Sequence, residues 1–116
     1  VALTRRIAEE QAGLDARDPA LLRHVYDLYR IGPVIDLGTV QPMLQAIMES
    51  DRKTRGRRLP TYAENPKEVS MESLRVLSVD EGYDEAFLTF QRDMVYGDHV
   101  TLADCLPVLR EYAALM

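Results

Sequence analysis

Read for the spacing of apolar side chains, the chain divides into six helical segments separated by Gly, Pro and Asp, and no stretch alternates as a strand does. The expected fold class is therefore all-α, a compact bundle of about six helices in one domain spanning residues 1–116. In residues 1–15, Leu3, Ile7 and Leu14 fall on one stripe, with Arg5, Arg6, Glu9 and Glu10 mostly away from it. Asp18-Pro19 reads as the N-cap and first residue of a second helix, whose Leu22, Val25 and Tyr29 share a face with Leu21 and Leu28 beside it. Ile31-Gly32-Pro33 ends it.

A third helix is expected over 39–53, with Pro42 tolerated in the first turn and Val40, Met43, Leu44, Ile47 and Met48 forming its apolar side. Residues 52–66 then read as the longest loop, and a long loop inside a small domain is functional or mobile. Asn65-Pro66 repeats the cap-plus-proline signal for a fourth helix carrying Val69, Leu74 and Leu77, which Asp80-Glu81-Gly82 breaks. The fifth, over 83–96, has the clearest periodicity: Tyr83, Phe87, Phe90 and Met94 predict a core face, and Gly97 stands where a left-handed C-cap belongs. Thr101 and Asp104 resemble a capping box for a last helix that buries Leu102, Cys105, Leu106, Leu109 and Tyr112 and that Pro107 should kink.

Composition narrows the possible functions. The chain has 116 residues, 47% apolar and 28% charged, the balance of a soluble globular domain. No apolar run approaches a membrane span and no secretory signal opens the sequence, so the cytoplasm is the expected location. The lone Cys105 excludes an internal disulfide and a thiolate metal cluster and reads as a packing residue. A net charge of −5 argues against a surface devoted to nucleic acid, although a local basic patch remains compatible. The sequence begins with Val rather than Met, which suggests a longer polypeptide.

Neither a phosphate-binding glycine loop nor a metal-holding carboxylate cluster is evident, and Asp80-Glu81 with Asp84-Glu85 reads as a helix N-terminus. His24 and His99 have no neighbouring His or Cys and make no zinc site, so the expected metal-ligand set is none; His99 reads as a loop residue. Two polar constellations are left. Arg23, His24, Tyr26, Asp27 and Arg30 crowd the second helix, with Arg23–Asp27 and Tyr26–Arg30 as i,i+4 neighbours. They are either a solvated helix face or a ligand-facing surface. Arg52, Lys53, Arg55, Arg57 and Arg58 place five cations in seven positions, either as solvated charge or as a polyanion site.

The opening VALTRRIAEEQAG, the segment DPALLRHVYDLYRI, the segment YDEAFLTFQRDMVYG and the capped last helix together resemble the C-terminal region of AbiEii-type nucleotidyltransferases. These are the toxins of bacterial type IV toxin–antitoxin and abortive-infection systems. The most specific parts are Arg23-His24-Val25-Tyr26-Asp27-Leu28, similar to the family's Arg/Lys–Asp–x–Tyr–Asp–Leu helix, and Met94-Val95-Tyr96-Gly97, similar to its Met–(Ile/Val)–(Phe/Tyr)–Gly. The resemblance covers nearly the whole chain, least distinctively in the middle.

It implies an upstream polymerase-β-like domain bearing the Gly-Ser turn and the Asp-x-Asp pair that binds Mg²⁺. The helical domain would help close a cleft for NTP and an acceptor such as a tRNA end or a protein hydroxyl, with an antitoxin as a further partner. The family's Arg-x-Lys-Asp motif would fall on Leu21, Leu22, Arg23 and His24, where His24 replaces the acid and Asp27 matches a second acidic position. By this likeness Arg23 contacts phosphate or base and Asp27 orients Arg23 or Arg30. The chain supplies no catalytic residue and is expected to be inactive alone. Two alternatives stand beside this reading. One is a non-enzymatic interaction module, an antitoxin or adaptor, docking through an exposed apolar stripe on the first helix. The other is an RNA-binding helical domain that uses residues 52–58.

Overall fold

Seven α-helices form from the caps and apolar stripes of the chain: α1 (Ala2–Gln11), α2 (Leu21–Ile31), α3 (Leu37–Arg55), α4 (Pro60–Glu64), α5 (Pro66–Val79), α6 (Glu81–Met94) and α7 (Leu102–Ala114). Short 3-10 turns at Gly32–Val34 and Gly56–Arg58 flank α3. The computed structural model describes residues 1–116 and contains no strand, so the all-helical class is as expected. No helix is long and apolar enough to cross a membrane.

Helices α1, α5, α7 and α2 pack in succession around the main core, α6 lies against α2, and α4 lies against α5. The domain measures 40 × 35 × 20 Å, and its thin dimension is that of two helix layers, each about 10 Å across. Leu3 and Ile7 from α1, Leu21, Leu22 and Val25 from α2, Leu74 and Leu77 from α5, Tyr83 and Phe87 from α6, and Leu102, Cys105 and Leu109 from α7 meet in one buried cluster. Burial of this apolar surface is the main stabilising term, roughly 1.5–3 kcal/mol for each large side chain before ordering entropy is charged against it. Leu3 and Ile7 are thus core residues, and α1 offers no exposed apolar stripe for docking.

Several caps stand where the sequence places them. Asn65 accepts from the Glu68 N–H with Pro66 in the first turn, and Asp80 accepts from the Gly82 N–H to open α6. Thr101 and Asp104 complete a reciprocal capping box on α7. His99 lies outside the helices and is exposed, and Cys105 is buried.

Other boundaries differ, each for a local reason. α1 stops at Gln11 because Gly13, at φ 77°, turns the chain, and Leu14 is left 41% exposed outside the helix. Asp18 does not cap α2: its carboxylate accepts from the Ala20 N–H and pairs with Arg6, holding a turn before the helix begins at Leu21. α3 is longer than expected because Asp36 caps it, so that it starts at Leu37, two residues before Thr39, and it continues through Arg55. None of its side chains is fully buried; Met43 and Ile47 are 56% and 49% exposed, so its apolar side is only half covered.

The expected 52–66 loop is mostly helical, and the total rises from six helices to seven because α4 lies within it. Pro60 starts that short helix and fully buried Tyr62 anchors it. In α6, Tyr83 and Phe87 are buried as expected, whereas Met94 is 63% exposed at the last turn. Val95 is the extended C-cap residue, and Gly97, at φ 96°, lies beyond the cap rather than forming it.

Candidate functional site

The polar face of α2 is held by the apolar face opposite. Leu21, Leu22 and Val25 are almost fully buried, which fixes the rotation of the helix about its axis. At 100° per residue, Arg23, Asp27 and Arg30 then fall within one narrow stripe, and all three are exposed. The Arg23 Nε to Asp27 Oδ2 separation is 3.9 Å, a solvated pair of little energetic weight. The other two members turn aside. His24 lies with Asp27 along the shallow groove between α2 and the start of α1, and Tyr26 packs edge-on against Phe90 of α6 at 5.9 Å between centroids. The stripe can present a guanidinium pair and one carboxylate to a ligand without moving backbone.

The 52–58 segment is arranged differently. Arg52, Lys53 and Arg55 lie on the last turns of α3, where cations suit the helix dipole, and Arg57 and Arg58 lie in the following 3-10 turn. Glu49 pairs with Arg52 at 2.5 Å and with Lys53 at 3.8 Å. Arg58 points back to the domain, donating to Glu9 Oε2 and Asp15 Oδ1, each at 3.0 Å, and to the Leu14 carbonyl. Gly56 makes this return possible, since a Cβ there would sit 2.7 Å from the Ala63 Cβ. Arg55 and Arg57 are exposed and form no ion pair, and no ion pair joins this segment to the α2 stripe.

The least exposed charges belong to a constellation that helical spacing does not reveal. Glu9, whose side chain is 2% exposed, receives Arg5 on one carboxylate oxygen and Arg58 on the other. Arg5 Nε also donates to Asp51 Oδ2 at 2.8 Å, and the buried Tyr62 hydroxyl donates to the same oxygen at 2.6 Å. Burial first, and this hydrogen bond second, push the Tyr62 phenol up, so it stays a donor. The chain Asp15, Arg58, Glu9, Arg5, Asp51, Tyr62 ties α1, α3 and α4 together. Both Glu9 oxygens are engaged by cations, so the group is built as a structural link rather than a proton acceptor. The i,i+4 spacing of Arg5 and Glu9 is its only trace in the sequence; the links to Arg58 and from Arg5 to Asp51 span 43 to 49 residues, and that from Tyr62 to Asp51 spans 11.

A second set anchors the α1–α2 connection. Glu10 accepts from the Asp18 N–H and from the Tyr83 hydroxyl, both at 2.9 Å. Arg17 pairs with Asp80 at 2.7 Å while its guanidinium lies 4.4 Å from the Tyr83 ring centre, a cation–π arrangement. Burial pushes the Cys105 thiol up to about 11, which makes it a poor nucleophile. No group of three or more His, Cys, Asp or Glu side chains converges as a metal site would require. Comparison with protein-family models, with curated proteins and with solved structures finds no match.

Proposed function

We propose that this chain is the helical accessory domain of an AbiEii-like nucleotidyltransferase and helps close its cleft over NTP and acceptor. One geometric observation carries the reading: Arg23, Asp27 and Arg30 form a single exposed stripe on a helix locked into the core by Leu21, Leu22 and Val25. A guanidinium pair on a rigid element suits recognition of phosphate or a base edge. The motif resemblance at residues 23–28 and 94–97 supplies the nucleotidyltransferase identity.

The side chains of this chain do not fit Mg²⁺, because no carboxylate cluster converges. The reading assigns the metal to a separate nucleotidyltransferase domain and gives this chain a positioning role. Arg23 and Arg30 neutralise and orient an anionic part of the nucleotide, and Asp27, only loosely paired with Arg23 in the free chain, orients it once bound ligand excludes water. His24 and Tyr26 border the stripe rather than belong to it. The test is labelled-NTP transfer by the full product of the native gene. Transfer that falls at least about tenfold in kcat/KM on Arg23→Ala, with unchanged thermal stability, supports the assignment. Undiminished transfer removes Arg23 from the cleft, and absent transfer refutes the enzyme reading.

A second reading, a non-enzymatic interaction module such as an antitoxin or adaptor, is favoured by α3. Met43 and Ile47 lie half exposed along it and Val34 stands 82% exposed just before it, a surface that a partner can cover. RNA binding through 52–58 is less favoured. Arg52, Lys53 and Arg58 already face Glu49, Glu9 and Asp15, which lowers the local positive potential that phosphates require.

A further inference from the structure

One broad depression on the domain contains none of the residues discussed as a cleft. It is a groove of about 680 Å³ between α1 and α5, closed at one end by α4. Ala8, Ala12 and the exposed Gln11 form the α1 wall, and Val69 and Val76 line the α5 side. The two alanines allow close approach by an incoming backbone, as at tightly packed helix pairs. The rim is acidic on balance: exposed Glu64, Glu68 and Glu72 line the groove against a single cation, Arg75.

Only Glu72 has its charge met, by Arg75 at 2.6 Å. Glu68 accepts a neutral hydrogen bond from Asn65 at 2.8 Å, and Glu64 forms no ion pair. Lys67 is turned away, donating to the Ala114 carbonyl of α7, so it does not neutralise this side. The groove therefore combines an apolar interior with uncompensated negative charge. Nucleic acid is repelled by such a rim, and the carboxylates do not converge on a cation.

We infer that this groove is a docking site for a basic amphipathic helix of a partner protein. The partner's small apolar face lies between Ala12 and Val69, and its Lys or Arg side chains meet Glu64 and Glu68, the two rim carboxylates that form no ion pair within the chain. The inference stands apart from the nucleotidyltransferase reading, since it uses no residue of α2.

The test is an NMR titration of the ¹⁵N-labelled chain with two synthetic peptides. One is an amphipathic helix of about four turns, with Lys at i,i+4 beside a Leu/Ala stripe. The other has the same composition scrambled to spread the charge around the helix. The expected result is saturable shifts centred on Ala8, Ala12, Val69 and Val76 with the amphipathic peptide alone. Combined Glu64→Gln, Glu68→Gln and Glu72→Gln substitution should weaken binding roughly tenfold. Ala12→Arg, an exposed position, should block binding while the helical circular dichroism stays unchanged. Equal binding of the scrambled peptide, shifts centred elsewhere, or affinity indifferent to these substitutions would overturn the inference.

Discussion

Glu9 has both carboxylate oxygens engaged by cations from separate parts of the chain, so its neighbours carry unusual weight for charged residues. Arg5→Met should leave Glu9 and Asp51 short of a partner in a nearly dry site and cost about 3–5 kcal/mol in urea unfolding. Arg23→Ala, on an exposed pair at 3.9 Å, should change stability by no more than about 0.5 kcal/mol. Equal costs at the two positions would show that the Glu9 network is not the link described. A pH effect follows from Asp80. The Arg17 guanidinium, helped by the Gly82 N–H and opposed by burial, holds the Asp80 carboxyl below the ordinary carboxylate range. The unfolded chain therefore takes up this proton first. The stabilisation is complete above the unfolded carboxylate value near 3.9 and is lost as pH falls through the lower folded value. Asp80→Asn keeps a capping oxygen but removes the charge, so its denaturant midpoint should fall less between about pH 5 and pH 2 than that of the wild type. Parallel curves would contradict the assignment. At this scale, apolar positions such as Leu22, Val25 and Phe87 were legible in the sequence, because periodicity reports burial. Fully buried Gln91 was not legible: its amide is satisfied by both backbone groups of Val100, a fit no spacing rule encodes.

The helices differ in how firmly they are held. α5 buries Leu74 and Leu77 and, through Ser70 and Ser73, hydrogen-bonds Thr4 of α1. α3 has no fully buried side chain and packs mainly on α4 and the turn before it. Amides in the first half of α3 should therefore exchange with solvent well before those of α5, and Leu74→Ala should cost about 2–5 kcal/mol against about 1 kcal/mol or less for Leu44→Ala. Equal protection along both helices would mean that α3 belongs to the same cooperative unit. Caps explain which elements the sequence specified well. Asn65, Asp80 and Thr101 start their helices where their side chains predict, and Thr101→Ala should cost about 1 kcal/mol by thermal melt. α4 escaped because five residues cannot show a period; Pro60 was its start signal, and buried Tyr62 is held by a hydrogen bond to Asp51 on α3, which helical spacing does not encode. Asp18 misled because Arg6 and a local turn compete for its carboxylate.

Over the whole molecule, the radius of gyration of 14.0 Å is close to the roughly 13 Å of a folded 100-residue domain. The charge distribution is divided rather than uniform. The α2 stripe, the partly neutralised cations of 52–58 and the acidic groove of α1 and α5 lie on different elements, so one domain can offer separate surfaces to different partners. The all-helical class was legible from apolar spacing and punctuation alone. The candidate site was legible as residue types on α2, and the i,i+4,i+7 spacing puts Arg23, Asp27 and Arg30 on one stripe; that the stripe faces solvent while Tyr26 packs on Phe90 depends on the helix rotation fixed by the core. The proposed role as part of a nucleotidyltransferase is tested by the intact mass and N-terminal sequence of the product of the native gene. The expected product extends before Val1 by a domain that carries the Gly-Ser turn and the Asp-x-Asp pair. A native product that begins at or near Val1 would contradict it and leave the interaction-module reading in its place.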